Sequence, residues 1–360
     1  VVAIYPLDAG SEVCYPLPGG GEGRLVTREH IPLFHKIART GIKKGDKVVK
    51  YGEYIGVATQ DIAQGEHVHT HNCASTDNLK DDTDEAVSGF HAARRSEQPH
   101  ECTRAFMGYR RPDGSVGIRN HVLVLPTSIC ASDTCERISC AVDGCVTFHN
   151  QNGCSQVDID QQLTLDTLAG LASNPNIYGV LAVSLGCEGC QNDLVVDAIR
   201  QRGDKPIRTL VIQEVGGSIR AVEEGTRLAR ELVREASLCV REKCGIDELI
   251  LGTNCGGSDT SSGLGSNPLI GEVSDWMVSQ GATTVLCETP ELFGGERILA
   301  EHSRTPEVGD QLLKIVRDYE KYVQMFGAEM REGNPSPGNM AGGLTTLEEK
   351  SLGCIHKAGH

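Results

Sequence analysis

Residues 178–186, Tyr-Gly-Val-Leu-Ala-Val-Ser-Leu-Gly, form a nearly unbroken apolar run that Cys-Glu-Gly-Cys follows at 187–190. Such a run is typical of a strand that is buried on both faces of a parallel sheet. Helical patterns separate it from five similar runs, namely HVLVLP (121–126), CVTFH (145–149), IRTLVIQ (207–213), ELILGT (248–253) and TTVLCE (283–288). This alternation predicts an α/β fold over residues 107–330, with a mostly parallel, doubly wound sheet.

The rest of the chain divides into three segments by composition. Residues 1–72 contain short β-type runs broken by Gly and Pro, which predicts a small all-β module. Residues 73–106 are polar, charged and without apolar periodicity, so we predict a linker there. Residues 331–360 are rich in turn sequences and lack the pattern of a complete domain.

Composition argues against several classes of partner. A net charge of −15 disfavours nucleic acids and anionic membranes, since both reward clustered Lys and Arg. No apolar run approaches the ~20 residues of a membrane span, and the first residues do not resemble a signal peptide. We therefore predict a cytoplasmic protein. Its 15 cysteines are an odd number in a long chain, which favours reduced thiols over a disulfide framework.

Four cysteines come directly after predicted strands or the loops that follow them: Cys130, Cys154, Cys187 and Cys255. The carboxyl ends of parallel strands share one crevice, so these thiols are expected to meet there. Together they could hold an iron–sulfur cluster with one open iron, or help to bind a single ferrous ion. Cys187 and Cys190 also form a C-x-x-C pair, which leaves a structural zinc site as an alternative. For any one cysteine, burial as a small apolar side chain is the more common role.

Amide, hydroxyl and carboxylate side chains surround these cysteines in the sequence. They suit a polyhydroxylated anion, although such residues also cap helices and hold turns. The predicted substrate-binding members are Asn150, Gln156, Ser258 and Asp259, with Glu188 beside them. The chain contains no glycine-rich nucleotide motif and no nucleophile elbow, which disfavours nucleotide and serine-hydrolase chemistry.

The run His67-Val-His69-Thr-His71-Asn72 is the most specific feature of the β module. On a strand, alternate residues share a face, so the three imidazoles would project to one side and could bind a divalent metal or a carboxylate. The alternative is a polar strand edge that hydrogen-bonds to a neighbouring loop. Lys36 and Lys50 lie beside turn residues, where they could reach an acidic substrate or could simply be solvated.

Collinear motifs then identify a family resemblance. They include I-P-L-F-H-K-I-A, V-V-K-Y-G-E-Y-I-G, V-H-T-H-N, N-G-C-S-Q, L-G-C-E, N-C-G-G-S-D-T-S-S-G-L, E-T-P-E-L-F-G-G-E and N-P-S-P-G-N-M-A-G-G-L-T-T-L-E-E-K-S-L-G. The chain resembles the altronate/galactarate dehydratase family. The resemblance implies an N-terminal β-clip module of the SAF type and a dehydratase domain. It also implies an iron-dependent loss of water across C2 and C3 of a sugar acid, which gives a 2-keto-3-deoxy acid.

The resemblance also orders the substrates. The H-x-H-N run is typical of the altronate-like branch, so altronate-type aldonates come first. Galactarate and sulfolactate, from which sulfite would leave, are the alternatives. A non-catalytic, thiol-rich metal-binding fragment is a rival from another class, and a homo-oligomer is a further partner that we consider.

Roles follow as hypotheses. Iron is assigned to Cys154, Cys187 and Cys255 with Cys130 in reserve, or, in a competing assignment, to His69 and His71 as one Fe2+. The substrate carboxylate is assigned to Lys50, His69 and His71, with Asn72 beside them. Proton transfer is assigned to His149 or Glu188.

Two departures from the family pattern are expected to matter. Many members have a histidine at the position of Asn150, so its role would pass to His149 or to Asn150 itself. Members also continue beyond the motif that ends near His360, which predicts that a further C-terminal domain is missing.

Overall fold

A computed structural model of the chain describes residues 1–17, 19–76, 102–190 and 192–359. It forms two compact units. The first unit combines Val1–His100 with Ile250–His360, and the second unit is Glu101–Leu249. The boundary at residue 249 falls inside the range 107–330 that the sequence pattern presents as one domain. Most of the predicted linker, residues 77–101, lies outside the described residues.

The elements are numbered in chain order. The N-terminal strands are β1 (Glu12–Pro16), β2 (Glu22–Val26), β3 (Lys36–Ile37), β4 (Lys47–Lys50), β5 (Glu53–Ala58), β6 (His67–Val68) and β7 (Cys73–Ala74). The second unit contains β8 (Ala105–Arg110), β9 (Val116–Gly117), β10 (His121–Pro126), α1 (Ile129–Cys140), β11 (Cys145–Val146), α2 (Asp158–Ser173), β12 (Ile177–Ser184), α3 (Asn192–Arg200), β13 (Ile207–Val211), α4 (Ser218–Ser237) and β14 (Glu242–Gly245). The chain continues with β15 (Ile250–Thr253), α5 (Asn267–Ser279), β16 (Thr283–Leu286), α6 (Glu296–Glu301), α7 (Pro306–Gln324), α8 (Pro337–Ala341) and α9 (Leu347–Ile355).

A four-stranded parallel sheet is the centre of the second unit. Its strand order is β11-β10-β12-β13, and helices cover both faces. Val122 and Val124 of β10 pack with residues of α1 and α4, whereas Leu123 and Leu125 pack with residues of α2 and α3. Because both faces are buried, β10 is apolar along almost its whole length. The mixed α/β content and the parallel-sheet region confirm that part of the predicted fold class.

The first unit contains the N-terminal β module. Its strands form three small antiparallel sheets, β1-β2, β3-β6 and β4-β5-β7. Ile55 of β5 is fully buried in one core with Leu347 and Leu352 of α9. Residues near the two ends of the chain therefore share a hydrophobic core, which brings their polar groups together as well.

All six predicted apolar runs contain a strand, but the structure divides them between two sheets. The runs at 248–253 and 283–288 form β15 and β16, which pair in parallel as a two-stranded sheet in the first unit. The other four form the sheet of the second unit. None of the helices in the described part of the chain is long and apolar enough to cross a membrane.

Candidate functional site

Histidine side chains cluster in the first unit. One ring nitrogen from each of His35, His67 and His69 lies within 4.8 Å of the other two. His35 Nδ1 faces His67 Nε2 at 2.9 Å, and the rings of His67 and His69 stack with centroids 5.4 Å apart. The ring of His71 lies 5.3 Å from that of His67 but does not join the three-nitrogen group.

A turn, rather than a long strand, brings these rings together. Strand β6 ends at Val68, and a turn over the next residues returns the chain toward His67. Asn72 holds this turn, because its Oδ1 accepts from the backbone N–H of His69 at 2.9 Å and its Nδ2 donates to the carbonyl of His67 at 2.8 Å. His35 comes directly before β3, which pairs antiparallel with β6, so it reaches the cluster from the neighbouring strand.

The three clustered imidazoles are neutral at pH 7. Burial lowers the pKa of His67 to about 3, with His35 and His69 adding to the effect. Burial and the nearby Lys36 lower the pKa of His69 to about 4, and burial also lowers the pKa of His35. Neutral imidazoles keep a nitrogen lone pair, which is the form that binds a metal ion.

Two ring nitrogens of the cluster have hydrogen-bond partners outside it. His35 Nε2 lies 3.2 Å from the carbonyl oxygen of Ala341, which can only accept, so this nitrogen carries the proton and Nδ1 is the acceptor. His69 Nδ1 lies 3.0 Å from Thr345 Oγ1, which leaves Nε2 free for another partner. Partners on the outer nitrogens orient metal-binding imidazoles in this way.

A buried charge centre lies next to the histidines. Glu349 is fully buried, and its carboxylate binds Lys36 Nζ at 2.8 Å and Lys50 Nζ at 2.6 Å. Burial raises the pKa of Glu349, but the two ammonium groups outweigh burial and hold the pKa below its usual value. Two ammonium groups against one carboxylate leave this centre with a net charge of +1.

The two lysines differ in how many hydrogen bonds they make. Lys36 Nζ donates to the carbonyl of Gly343 at 2.7 Å, to Thr345 Oγ1 at 2.6 Å and to the Glu349 carboxylate. These bonds use all three N–H groups of the Lys36 ammonium. Among the described residues, Lys50 Nζ has one short bond, to Glu349, and a 3.5 Å contact with Thr260 Oγ1. Lys50 therefore keeps donor capacity for a ligand. The reading of Lys36 as a solvated lysine is wrong.

A cavity of about 530 Å³ borders this centre. Both lysines line it, and Arg39 and Lys47 add two more basic side chains. Its lining residues include no Asp or Glu. The arrangement suits a small anion with several polar groups.

The backbone conformation of the loop before α9 requires a glycine at position 343. Its φ of 93° is a conformation that favours glycine, and a Cβ there would collide with the carbonyl of Phe34 and the hydroxyl of Thr260. The close approach places the Gly343 carbonyl on Lys36. The N-cap Thr346, which accepts from Glu349 N at 3.2 Å, then starts α9 and fixes the position of Glu349.

Three of the predicted thiol ligands lie in the second unit and the fourth in the first. Cys130, Cys154 and Cys187 are exposed, and Cys255 is partly buried. Within the described residues, the first three do not form a group whose ligand atoms lie within 4.8 Å of one another. The iron–sulfur assignment stays a prediction.

Glu188 occupies the crevice at the carboxyl ends of β10 and β12. Its carboxylate accepts at 2.7 Å from Thr127 Oγ1 and from the backbone N–H groups of Leu185 and Gly186. Burial raises the pKa of Glu188, but these hydrogen bonds outweigh burial and lower the pKa. The carboxylate ties two loops together, which is a structural use of a residue predicted to transfer protons.

The other predicted residues of the second unit have local partners. His149 is exposed, with Nε2 3.2 Å from Glu136. Asn150 is buried, and its side chain donates to the carbonyl of Pro126 and accepts from the N–H of Asn152. Gln156 donates to Thr164 at 2.8 Å. These contacts hold the 148–156 loop, and the substrate contacts predicted for it stay predictions.

Ser258 and Asp259 belong to the first unit. Asp259 Oδ1 accepts from Ser261 Oγ at 2.7 Å and from the N–H of Ser262 at 2.8 Å, so it caps a helical turn. Ser258 Oγ lies 3.5 Å from Cys255 Sγ. Sequence reasoning missed His35, Thr345 and Glu349 as site residues, although the family motifs contain all three.

Comparisons with known proteins cover the chain in three parts. Residues 1–76 match the altronate/galactarate dehydratase SAF domain, and residues 108–237 match the second domain of D-galactarate dehydratase/altronate hydrolase. Residues 246–360 match the C-terminal domain of D-galactarate/altronate dehydratase. The expectation that the C-terminal domain is missing is therefore wrong, and the first unit combines the SAF and C-terminal regions.

Curated relatives are similar over most of the chain. Altronate dehydratase of Bacillus subtilis (strain 168) is 37% identical over 346 residues, which are 93% of this chain and 68% of that protein. Altronate dehydratase of Escherichia coli (strain K12) is 36% identical over 371 residues, covering 99% and 72%. The (2R)-sulfolactate sulfo-lyase subunit beta of Chromohalobacter salexigens is 38% identical over 257 residues, covering 71% and 65%. The chain belongs to the altronate/galactarate dehydratase family and is an enzyme of the hydro-lyase class.

Proposed function

We propose that this sugar-acid dehydratase removes water across C2 and C3 of an altronate-type aldonate, with Fe2+ held by His35, His67 and His69. The observation that carries the proposal is Lys50, a buried ammonium with unused donors in a centre of net charge +1, next to three neutral imidazoles. A sugar acid presents a carboxylate to the ammonium and hydroxyl oxygens to the rest of the cavity.

The donor set fits Fe2+. Imidazole nitrogen suits borderline transition-metal ions, and the depressed pKa values keep the lone pairs available at neutral pH. One proton lies between His35 Nδ1 and His67 Nε2, and binding of a cation would displace it. When bound, the ion supplies Lewis-acid stabilisation of the charge that develops on the substrate oxygens.

The protein's own residues bind and orient the substrate. Lys50 Nζ would hold the carboxylate, with His71 as a further contact predicted from the sequence, while Glu349 binds both Lys36 and Lys50 and fixes their positions. Thr345 Oγ1 bridges Lys36 Nζ and His69 Nδ1, so hydrogen bonds connect the charge centre to the imidazoles. Removal of the C2 proton stays the predicted role of His149 or Glu188.

The test is a substrate panel on the full chain, purified without oxygen and supplied with Fe2+. We expect a 2-keto-3-deoxy acid from altronate. Because the chain is similar to a sulfo-lyase subunit, sulfolactate is a second substrate to test, with detection of sulfite. Galactarate is the third. No turnover on any aldonate or aldarate would overturn the proposal and favour the rival of a non-catalytic metal-binding protein.

Two variants test the assigned roles. Lys50→Met should lower kcat/KM by about 10- to 100-fold, the loss expected for one charged hydrogen bond, while Lys43→Met on the exposed surface should not. His67→Ala should keep less bound Fe2+ after desalting than the parent chain, whereas the exposed His30→Ala should keep as much as the parent. A His67 variant with the full iron content of the parent chain would refute the histidine site.

A further inference from the structure

A second group of metal-binding side chains lies in the first unit and shares no residue with the histidine cluster. Cys255 Sγ and one carboxylate oxygen from each of Glu288 and Glu291 lie within 4.8 Å of one another. Cys255 comes two residues after β15, and the two glutamates follow β16. Because these strands pair in parallel, their carboxyl ends bring the three side chains to one edge.

Each carboxylate accepts a hydrogen bond on its Oε2 atom. Lys357, whose side chain is 1% exposed, donates to Glu291 Oε2 at 2.9 Å. The backbone N–H of Cys255 donates to Glu288 Oε2 at 2.8 Å. Outer partners of this kind orient the ligands of metal sites, so these carboxylates are held in place before any ion binds.

Ser258 lies beside the group, and two thiols hydrogen-bond to Glu291, those of Cys255 and of the buried Cys354. Ser258 Oγ lies 3.5 Å from Cys255 Sγ, 3.5 Å from Glu291 Oε1 and 3.9 Å from the buried Cys354 Sγ. A hydroxyl normally bonds an oxygen at about 2.7 Å, so the Ser258–Glu291 contact is too long for a good hydrogen bond. A bound ion would therefore replace the hydrogen bond between the Cys255 thiol and Glu291.

Charge and donor type indicate which kind of ion these three side chains would bind. Two carboxylates and the Lys357 ammonium leave a charge of −1, which favours a cation. Carboxylates alone suit Mg2+ or Ca2+, but a sulfur ligand selects a borderline transition metal. We propose that Cys255, Glu288 and Glu291 bind a divalent transition-metal ion such as Zn2+, Fe2+ or Co2+, at a site separate from the proposed catalytic one.

Cobalt is the probe, because a thiolate bound to Co2+ gives a charge-transfer band in the near ultraviolet that imidazole and carboxylate ligands do not give. We expect the band when the full metal-free chain is titrated with Co2+ under anaerobic conditions. Cys255→Ser should abolish it. The matched control is Cys287→Ser, which should keep the band. It removes a neighbouring thiol whose Sγ lies 3.9 Å from the carbonyl oxygen of Val285.

Two more variants complete the test. Glu288→Gln changes an exposed side chain conservatively and should weaken Co2+ binding by about 10-fold or more, which decides the matter if the Cys255 variant fails to fold. His67→Ala should keep the band, so failure of the catalytic metal site and failure of this site are distinguishable. The proposal is overturned if the parent chain gives no band, if Cys255→Ser retains it, or if Glu288→Gln binds Co2+ as tightly as Cys287→Ser.

Discussion

Replacing Glu349 by glutamine tests the charge centre most directly. The change is nearly isosteric, but it leaves Lys36 and Lys50 as two ammonium groups without their shared carboxylate in a site where their side chains are 7% and 9% exposed. Removing one partner of a buried ion pair costs about 3–5 kcal/mol of unfolding free energy, because an uncompensated charge stays buried. We expect a loss in that range.

The chain provides its own probe for this measurement. Trp276 is the single tryptophan and lies in α5 of the first unit, so its fluorescence during urea unfolding follows the unit that contains Glu349. Asp61→Asn is the matched control. It removes an acidic partner from Lys43 in an exposed ion pair, and we expect no measurable change.

A double variant separates charge from packing. In a Lys50→Met background one ammonium is already gone, so Glu349→Gln should cost less than it does in the parent chain, by about 0.5–3 kcal/mol. Equal costs in the two backgrounds would mean that the loss comes from packing. A Glu349→Gln variant as stable as the parent would refute the account of the centre.

Two further predictions concern the same unit. The folded pKa values of about 3 for His67 and about 4 for His69 lie below the unfolded value of about 6.5, so the folded metal-free protein binds fewer protons. These groups should not affect the stability of the protein above about pH 6.5, and the stability should fall as the pH drops from about 6.5 toward 4. The urea midpoint measures this pH dependence, which should be weaker in His67→Gln. Gly343→Ala should lower the unfolding free energy by about 1–3 kcal/mol, since φ is positive and a Cβ would collide with backbone. Gly338→Ala should not, because a Cβ there would meet only an ordinary contact with Ser336 Oγ at 4.0 Å. Equal urea midpoints for the two variants would contradict the role of the loop.

Local pattern was enough to predict the strands but not their partners. The run of β10 predicts a strand buried on both faces, and five of its six residues are buried. In β15 only Thr253 is buried, although the run looks similar in sequence. Periodicity reports which residues avoid water along one segment. It carries no information on which sheet a strand joins, so one predicted sheet became two.

The histidine site was only partly predictable, because local spacing shows which histidines lie close in sequence but not which distant residue joins them. His67, His69 and His71 do lie close together, but the strand that was expected to align them ends at Val68 and a turn replaces it. His35 joins only through the pairing of β3 with β6, with Ile37 opposite His67. Pairing between distant segments is a property of the folded chain.

Glu349 could not be found from its local sequence. Thr346-Leu-Glu-Glu349 has the spacing of a capping box, in which the glutamate turns back to the helix start. Thr346 does cap α9, but the Glu349 carboxylate accepts from the backbone N–H of Thr345 at 2.9 Å and binds two lysines about 300 residues earlier. A common local explanation for the residue hides its long-range role.

The charge centre also explains why the site needs both ends of the chain. Two lysines can be buried beside each other in the β module only because α9 brings a carboxylate to them, and the loop before α9 brings Thr345 Oγ1 and the Gly343 carbonyl. Without residues 246–360, Lys36 would lose all three of its hydrogen-bond partners and would have to reach water. The SAF region alone therefore cannot keep this lysine pair buried, and the proposed anion site exists only where the SAF and C-terminal regions fold as one unit.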